Sequence, residues 1–226
     1  TLSCPDYSCL SKPLSKLGLK TPRFKKTDKP DEDVAAIAID STGLKEFGQG
    51  EWHQEKHKVN AKRSWKKAHF AVSDDHIIHA AVLTPKDTMD FQVVDDLCEH
   101  IDVEVDHISA DKMYDTDDVY TTFSAEFPNA EIVIPPKENL YADEHHLAKR
   151  MSTLVAYSAL GPMRWQKVKQ YGKRNVSENA MQRYKTIIGP KLHSREFDNQ
   201  QQEMMLAASI LNRFTQLGMP KSYRVA

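Results

Sequence analysis

The stretch "VAAIAIDST", from Val34 to Thr42, is the segment that most strongly indicates the fold. It is a continuous apolar run rich in Val and Ile, which is typical of a strand buried on both faces of a sheet. Asp40 ends this run, and the "STG" that follows it is turn-forming. We therefore predict a buried strand with Asp40 at its carboxyl end, where the acid is either a turn former or a functional carboxylate.

The segments after this strand predict two more strands and then alternating helices and strands. Apolar residues alternate on both sides of "SDDH", which predicts a hairpin between residues 68 and 85. Helical spacing of apolar residues predicts an amphipathic helix in "DTMDFQVVDDLCEHI", and Thr116 is the predicted N-cap of a second helix. Another predicted strand lies in "VDHISADKMYD" and ends at Asp111 within that segment. The last predicted strand is "AEIVIPP".

The last third of the chain is predicted to be helical. A helix near residues 145–160 is broken at Gly161 and Pro162, a second covers residues 171–185, and a third ends at a glycine C-cap. This order of elements predicts an α/β fold in which helices flank a mixed sheet. If the first strand neighbours the strand that follows the first helix, Asp40 and Asp111 face one crevice.

A third acid is predicted to join this pair from the segment "YGKRNVSENAMQRYK". At about 100° per residue, one helix face carries Tyr171, Arg174, Glu178 and Lys185, and the opposite face carries Val176, Ala180, Tyr184 and Ile187. Clustered carboxylates need a cation, and Mg²⁺ is the natural occupant for Asp40, Asp111 and Glu178. The alternative is a solvated helix face with ion pairs, which is the commoner arrangement of such residues.

Positive and aromatic groups near the predicted acids suit a phosphate backbone. Arg174 and Lys185 are positioned to hold non-bridging oxygens, and Tyr171 to stack on a base or donate to a phosphate. The basic segment from Lys56 to Lys67 follows the strand of Asp40 and offers further contacts, or is a solvated loop. Its candidate DNA-binding residues are Arg63, Trp65, Lys66 and Lys67.

The composition of the chain limits its partners and its compartment. Lys and Arg number 31 and Asp and Glu 32, so the chain has no bulk charge for nucleic-acid binding and any anion site must be local. Three cysteines suit free thiols in a reducing compartment, and no apolar run approaches the length of a membrane span. We expect a cytoplasmic protein with no membrane partner.

The first 33 residues are predicted to lie outside the compact domain. They are polar and contain four prolines, and the first residue is Thr rather than Met. We interpret residues 1–33 as a short helical remnant followed by a linker, and residues 34–226 as the compact domain. Three other metal-like patterns carry no prediction of function. The motif "HQEKH" lacks the glutamate after its first histidine, "DEHH" fits a surface position better, and the Cys4–Cys9 pair lacks the partners that a metal site needs.

Several motifs of this sequence resemble one known family. They are "AIDSTGLKEFGQGEW", "WKKAHFAV", "SADKMYDT", "IPPK" and, above all, Tyr171-x2-Arg174-x3-Glu178-x6-Lys185. In these motifs the sequence resembles the DDE transposases of bacterial insertion sequences, in the branch that includes insertion-sequence family five. The resemblance runs from about residue 1 to the end of the chain.

This resemblance implies a ribonuclease-H-like catalytic domain in which Asp40, Asp111 and Glu178 bind two Mg²⁺ or Mn²⁺ ions. Members of the family cut DNA at transposon ends and join the freed 3′-hydroxyl to target DNA, both by in-line phosphoryl displacement. Since two ends must be joined, we expect a homodimer on DNA, associated with the bacterial nucleoid. By the same resemblance, Tyr171, Arg174 and Lys185 contact DNA near the scissile phosphate.

The sequence departs from the family at the second acid, where Lys112 and Met113 replace the usual small residues. A Lys112 ammonium paired with Asp111 would weaken metal binding. Two alternatives therefore stay open beside an active transposase. One is a plain metal-dependent nuclease of the same fold, and the other is a catalytically silent DNA-binding remnant.

Overall fold

The computed structural model describes residue 14 and residues 16–24, 34–46, 65–138 and 147–218. Within these residues the strands are β1 (Val34–Glu46), β2 (Trp65–Ser73), β3 (Ile78–Pro85), β4 (Glu104–Ser109), β5 (Glu131–Val133) and β6 (Lys191–Leu192). The helices are α1 (Val94–Cys98), α2 (Asp117–Glu126), α3 (Ala148–Leu160), α4 (Pro162–Val168), α5 (Asn175–Arg183) and α6 (Phe197–Gln216). Shorter 3₁₀ turns cover Asp90–Val93, Lys112–Tyr114 and Tyr171–Arg174, and a π-helical turn covers Tyr184–Ile188.

The strands form one mixed sheet in the order β3, β2, β1, β4, β5, and β6 pairs with the far end of β1. The first three strands are antiparallel neighbours, while β4 and β5 run parallel to β1. Helices pack on both faces of this sheet. The predicted α/β fold with a mixed sheet flanked by helices is confirmed, and it is consistent with the ribonuclease-H-like fold that the resemblance implies.

Strand β1 is longer than the sequence predicted. Residues 35–39 are buried as expected, but the strand continues to Glu46, so the prediction that it ends at Asp40 is wrong. The reason is β2, which pairs with β1 as far as Lys45 and so satisfies the backbone of "STG" in a ladder rather than a turn. Of the residues of β1, only 34–38 pair with β4. Asp40 therefore lies two residues beyond the part of β1 that has β4 as its parallel neighbour.

Alternating side chains of β1 divide the core into two layers. Ile37 and Ile39 pack in the first layer, which the helices α1 and α2 cover. Ala38 and Leu44 pack in the second layer, beneath α5 and α6. Because side chains alternate, Asp40 shares its face of the sheet with Ala38 and Leu44, and so lies on the side of α5.

The helix predicted over residues 171–185 consists of three parts: the 3₁₀ turn Tyr171–Arg174, the helix α5 and the π-helical turn Tyr184–Ile188. Its predicted apolar face is buried at Val176, Ala180 and Tyr184. The prediction for Ile187 is wrong, since this side chain is 49% exposed. The wider π-helical turn, closed by the bond from Gly189 N to Tyr184 O, rotates Ile187 away from the apolar face.

Part of the N-terminal region packs against the last helix. Leu19 N donates to Gln202 Oε1 over 2.8 Å, and Arg23 N donates to Ser209 Oγ over 2.9 Å. The Leu19 side chain packs against the second core layer. Among the residues that the structure describes, none of the helices has the length and apolar content that crossing a bilayer requires.

Candidate active site

Asp40 is a partly buried carboxylate with two hydrogen-bond donors. Its Oδ1 accepts from Ser41 N over 2.8 Å, and its Oδ2 accepts from Arg174 Nη1 over 2.6 Å. Burial raises the pKa of Asp40, the Ser41 N–H and Arg174 lower it, and the nearby Asp111 and Glu178 raise it. The net shift is upward, which indicates that Asp40 carries its charge at an energetic cost in this site.

Asp111 lies two residues after the end of β4 and begins the 3₁₀ turn Lys112–Tyr114. Its Oδ1 accepts from Met113 N over 2.8 Å, so the carboxylate caps the turn. Tyr114 is fully buried, which anchors the turn in the core. Because β4 is the parallel neighbour of β1, Asp111 comes close enough to Asp40 to affect its pKa, as predicted from the strand order.

Arg174 connects Asp40 to Glu178. One guanidinium nitrogen, Nη1, binds Asp40, and the other, Nη2, binds Glu178 Oε1 one helical turn further along the chain. The Arg174 side chain is 17% exposed and that of Glu178 is 54% exposed. The structure thus brings two of the predicted acids, Asp40 and Glu178, to one guanidinium, and places the third, Asp111, just after the strand next to β1.

This arrangement suits a cation but is not a complete metal-ligand cluster. The described residues contain no group of three His, Cys, Asp or Glu side chains placed closely enough to hold a metal ion. The Arg174 guanidinium lies between Asp40 and Glu178, and the Asp111 carboxylate accepts from Met113 N. The donor set nevertheless fits a hard divalent ion, since it consists of carboxylate oxygens and two of its members already bind a positive charge.

Lys112 does not pair with the acid beside it. Its Nζ lies 2.9 Å from Glu138 Oε1, and this contact raises the pKa of Lys112. Both side chains are largely exposed. Asp111 therefore keeps its carboxylate on the Met113 N–H, and the ion pair through which Lys112 would weaken metal binding is not formed.

Tyr171 packs against protein rather than projecting from it. Its ring lies 5.9 Å from that of Trp165, and the Arg174 guanidinium lies 5.7 Å from the Tyr171 ring centre. Burial raises the pKa of Tyr171 to about 12. Trp165 is completely buried and was missed from the sequence, where an aromatic residue next to a Gly-Pro break carries no signal of a role in a site.

The remaining predicted DNA-binding residues are not part of this cluster. Lys185 is exposed, while Lys66 lies 3.4 Å from Glu46 and Lys67 lies 3.1 Å from Asp90. Trp65 and both lysines belong to β2 rather than to a loop, which corrects the boundary of the basic segment. Arg63 and the rest of that segment lie outside the described residues.

Together, the fold and these side chains define an α/β protein with an acidic site. The site lies beside the carboxyl end of β4, just beyond the last residue of β1 that pairs with β4. Residues 34–213 match the family model of the transposase DDE domain. Since that match spans most of the sequence, the chain belongs to the transposase DDE domain family.

One solved structure similar to this chain is the Drosophila P element transposase strand transfer complex. The sequence identity is 10%, and the match covers 95% of this chain and 74% of that chain, with a TM-score of 0.31. This similarity is too low to add to the fold assignment, which rests on the strand order.

Proposed function

We propose that this chain catalyses metal-dependent DNA cleavage at transposon ends and the transfer of the cut strand into target DNA. The observation that supports this most directly is that the Arg174 guanidinium binds both Asp40 and Glu178, while Asp111, on the neighbouring strand, is near enough to raise the pKa of Asp40. Membership of the transposase DDE domain family supports the same chemistry.

In this proposal Asp40, Asp111 and Glu178 hold two Mg²⁺ or Mn²⁺ ions. When bound, ions held by these carboxylates would supply Lewis-acid activation of a water or hydroxyl nucleophile and charge stabilisation of the leaving oxygen. Arg174 must leave Asp40 and Glu178 before these carboxylates are free to act as ligands. The Ser41 N–H continues to orient Asp40, and the Met113 N–H continues to orient Asp111.

The released Arg174 is then available to bind a non-bridging oxygen of the DNA strand. The guanidinium thereby exchanges its carboxylate partners for a phosphate partner. Lys185 is exposed beyond Glu178 and gives a further phosphate contact. We assign Tyr171 to the same DNA face, where its ring keeps Arg174 near the reacting phosphate.

The finer assignments follow from the sequence motifs. We propose a transposase of a bacterial insertion sequence similar to family five, acting in the cytoplasm at the nucleoid. We also propose a homodimer on DNA, because strand transfer must bring two transposon ends together.

The test is incubation of the protein with pre-cleaved end DNA, a plasmid and Mn²⁺, scored for joined product. We expect product from the wild type and at least a thousandfold less from Asp40→Asn, because one metal ligand is replaced by a neutral amide. Asp118→Asn is a matched control, since it makes the same change at an exposed acid outside the site.

Other outcomes select other functions. With uncut end DNA as the substrate, 3′-hydroxyl ends that are cleaved but never join the plasmid support a plain nuclease of the same fold. DNA binding without cleavage in Mg²⁺ or Mn²⁺ supports a silent remnant. Equal activity of Asp40→Asn and the wild type removes Asp40 from the site.

A further inference from the structure

Charge is distributed unevenly along this chain. Residues 145–195 contain eleven Lys and Arg side chains and a single acid, Glu178. The other 175 residues contain 20 Lys and Arg against 31 Asp and Glu, so the net charge of −1 conceals a strongly basic region. A region of this kind favours an anionic partner.

The helix α4 lies inside this region and is held beside the acidic site. Trp165 at its centre is fully buried, and the Trp165 ring contacts that of Tyr171, which leads into Arg174. Just after the helix, Lys169 Nζ lies 2.7 Å from Glu131 Oε1 of β5. These two contacts fix α4 over the β4 and β5 side of the sheet.

Two cations project from the outer face of α4. Arg164 and Lys167 are exposed and three residues apart, which places them on neighbouring positions of the helix surface, about 4.5 Å apart along the axis. Within the described part of the chain neither has an ion-pair partner, in contrast to Lys169 and Arg150, which bind acids. A purely solvated helix face commonly mixes both signs of charge, but residues 145–177 contain no acid at all.

We propose that Arg164 and Lys167 form a second surface for the DNA backbone, which continues from the acidic site and binds phosphates away from the bond that is cut. The partner is a nucleic-acid duplex because a regular row of phosphates matches cations on a held helix that have no ion-pair partner among the described residues. The inference rests on the proposed function for the identity of this polyanion, and the surface itself rests on the position and charge of α4.

The test measures duplex DNA binding in chelator at several salt concentrations, with a short blunt duplex as the probe. For Arg164→Gln/Lys167→Gln we expect the slope of log affinity against log salt to fall by about two, since two phosphate contacts are lost. The matched control is Lys20→Gln/Arg213→Gln, which removes one Lys and one Arg that are exposed near β3, at the opposite edge of the sheet.

The proposed DNA surface is wrong if the salt slope of the α4 variant is unchanged. It is also wrong if the slope of the control variant falls by the same amount. Wild-type protein that does not bind the duplex overturns it as well. Strand joining by Asp40→Asn, measured in the assay with pre-cleaved end DNA and Mn²⁺, separates the two proposals. If the α4 variant has a lower salt slope while Asp40→Asn joins ends like the wild type, the DNA surface stands and the proposed function fails. If the slope is unchanged while joining depends on Asp40, the proposed function stands and the DNA surface fails.

Discussion

Arg174 determines the present state of the acidic site. It is the one side chain that the structure shows bonded to both Asp40 and Glu178, within the residues described. Removing its positive charge leaves two carboxylates close together without the cation that offsets their repulsion. The carboxylates are then more available to a divalent ion, and the DNA loses a phosphate contact.

We therefore expect Arg174→Gln to bind Mn²⁺ about tenfold more tightly than the wild type, as measured by isothermal titration calorimetry without DNA. The same variant should lose strand-joining activity, because the guanidinium no longer reaches the phosphate. Lys185→Gln serves as the control, since it removes an exposed cation that contacts neither acid. Mn²⁺ affinity that is unchanged or weaker in Arg174→Gln would contradict the role of this residue as an internal counter-ion.

His69 is a completely buried histidine at the centre of strand β2. Its Nε2 lies 2.9 Å from Thr84 Oγ1, and burial lowers the pKa of His69 from 6.5 to about 4, with Asp90 opposing and Lys67 adding to the shift. The unfolded chain therefore binds one more proton than the folded chain between pH 6.5 and pH 4. Stability contributed by neutral His69 is fully present above pH 6.5 and is lost as the pH falls through this range.

For His69→Gln we expect a smaller loss of the free energy of unfolding on acidification, by about 3 kcal/mol between neutral pH and pH 4, measured by urea denaturation at each pH. Glutamine is uncharged over this range and keeps a hydrogen-bonding group near Thr84. The exposed His193→Gln should follow the wild type. Parallel curves for His69→Gln and the wild type would show that His69 does not titrate in this way.

The elements that carry Asp111 depend on a buried ion pair. Asp115 is 2% exposed, and its Oδ1 accepts from Arg150 Nε over 2.7 Å, while its Oδ2 accepts from Lys137 N over 2.8 Å. Arg150 lies on α3 and also binds Asp117 at the start of α2. One ion-pair network thus joins α2, α3 and the 3₁₀ turn that begins at Asp111.

Replacing one member of this network should destabilise the fold strongly, because a buried charge loses its main partner. We expect Asp115→Asn to lower the free energy of unfolding by about 3 kcal/mol in urea denaturation. Asp118→Asn is the matched control, an exposed acid in the first turn of α2, and should cost less than about 1 kcal/mol. A cost for Asp115→Asn as small as that of Asp118→Asn would show that the network contributes little.

Elements whose turn or cap residues form a strong local pattern were predictable from the sequence. Features that depend on contacts with a neighbouring strand or on an irregular helical turn were not. The hairpin of β2 and β3 and the N-cap Thr116 of α2 lie where their residues indicated, because turn and cap chemistry act within a few residues. The extension of β1 past Asp40 depends on β2, and the rotation of Ile187 depends on a π-helical turn. Neither leaves a local pattern.

The candidate site shows the same division. Strand order was enough to predict that the strands before Asp40 and Asp111 are neighbours, and the apolar spacing was enough to predict which face of α5 is buried. The contact of Arg174 with both Asp40 and Glu178 was not predictable, since a guanidinium four residues from an acid can equally point to solvent. Whether these residues cut DNA stays a prediction until the joining assay is done.

At the scale of the whole molecule, residues 16–24 belong to the packed structure. Leu19 packs beside α6, and the ring of Phe24 lies 4.8 Å from that of His79. Asn212 Nδ2 donates to Ile78 O, and its Oδ1 accepts from Ile78 N, so the helix under this segment is itself tied to β3. The N-terminal segment therefore covers a helix that closes one side of the sheet.

We expect deletion of residues 1–24 to lower the free energy of unfolding by about 2 kcal/mol, because the apolar surface under Leu19 and Phe24 is exposed to water. Urea denaturation of this chain beside one that lacks only residues 1–13 measures the difference. The shorter deletion keeps every contact described here and should match the full chain. Equal stability of all three would support the predicted domain boundary at residue 34.

The ion pairs of Arg174 also allow the protein to fold without bound metal ions. Because a guanidinium already offsets the charge of Asp40 and Glu178, the apoprotein has no need of a divalent ion to reach its native state. In this respect the molecule differs from a zinc finger, which unfolds when its metal is removed. It should therefore survive purification in a chelating buffer, keep the same melting temperature there, and become competent as soon as Mg²⁺ and DNA are supplied together.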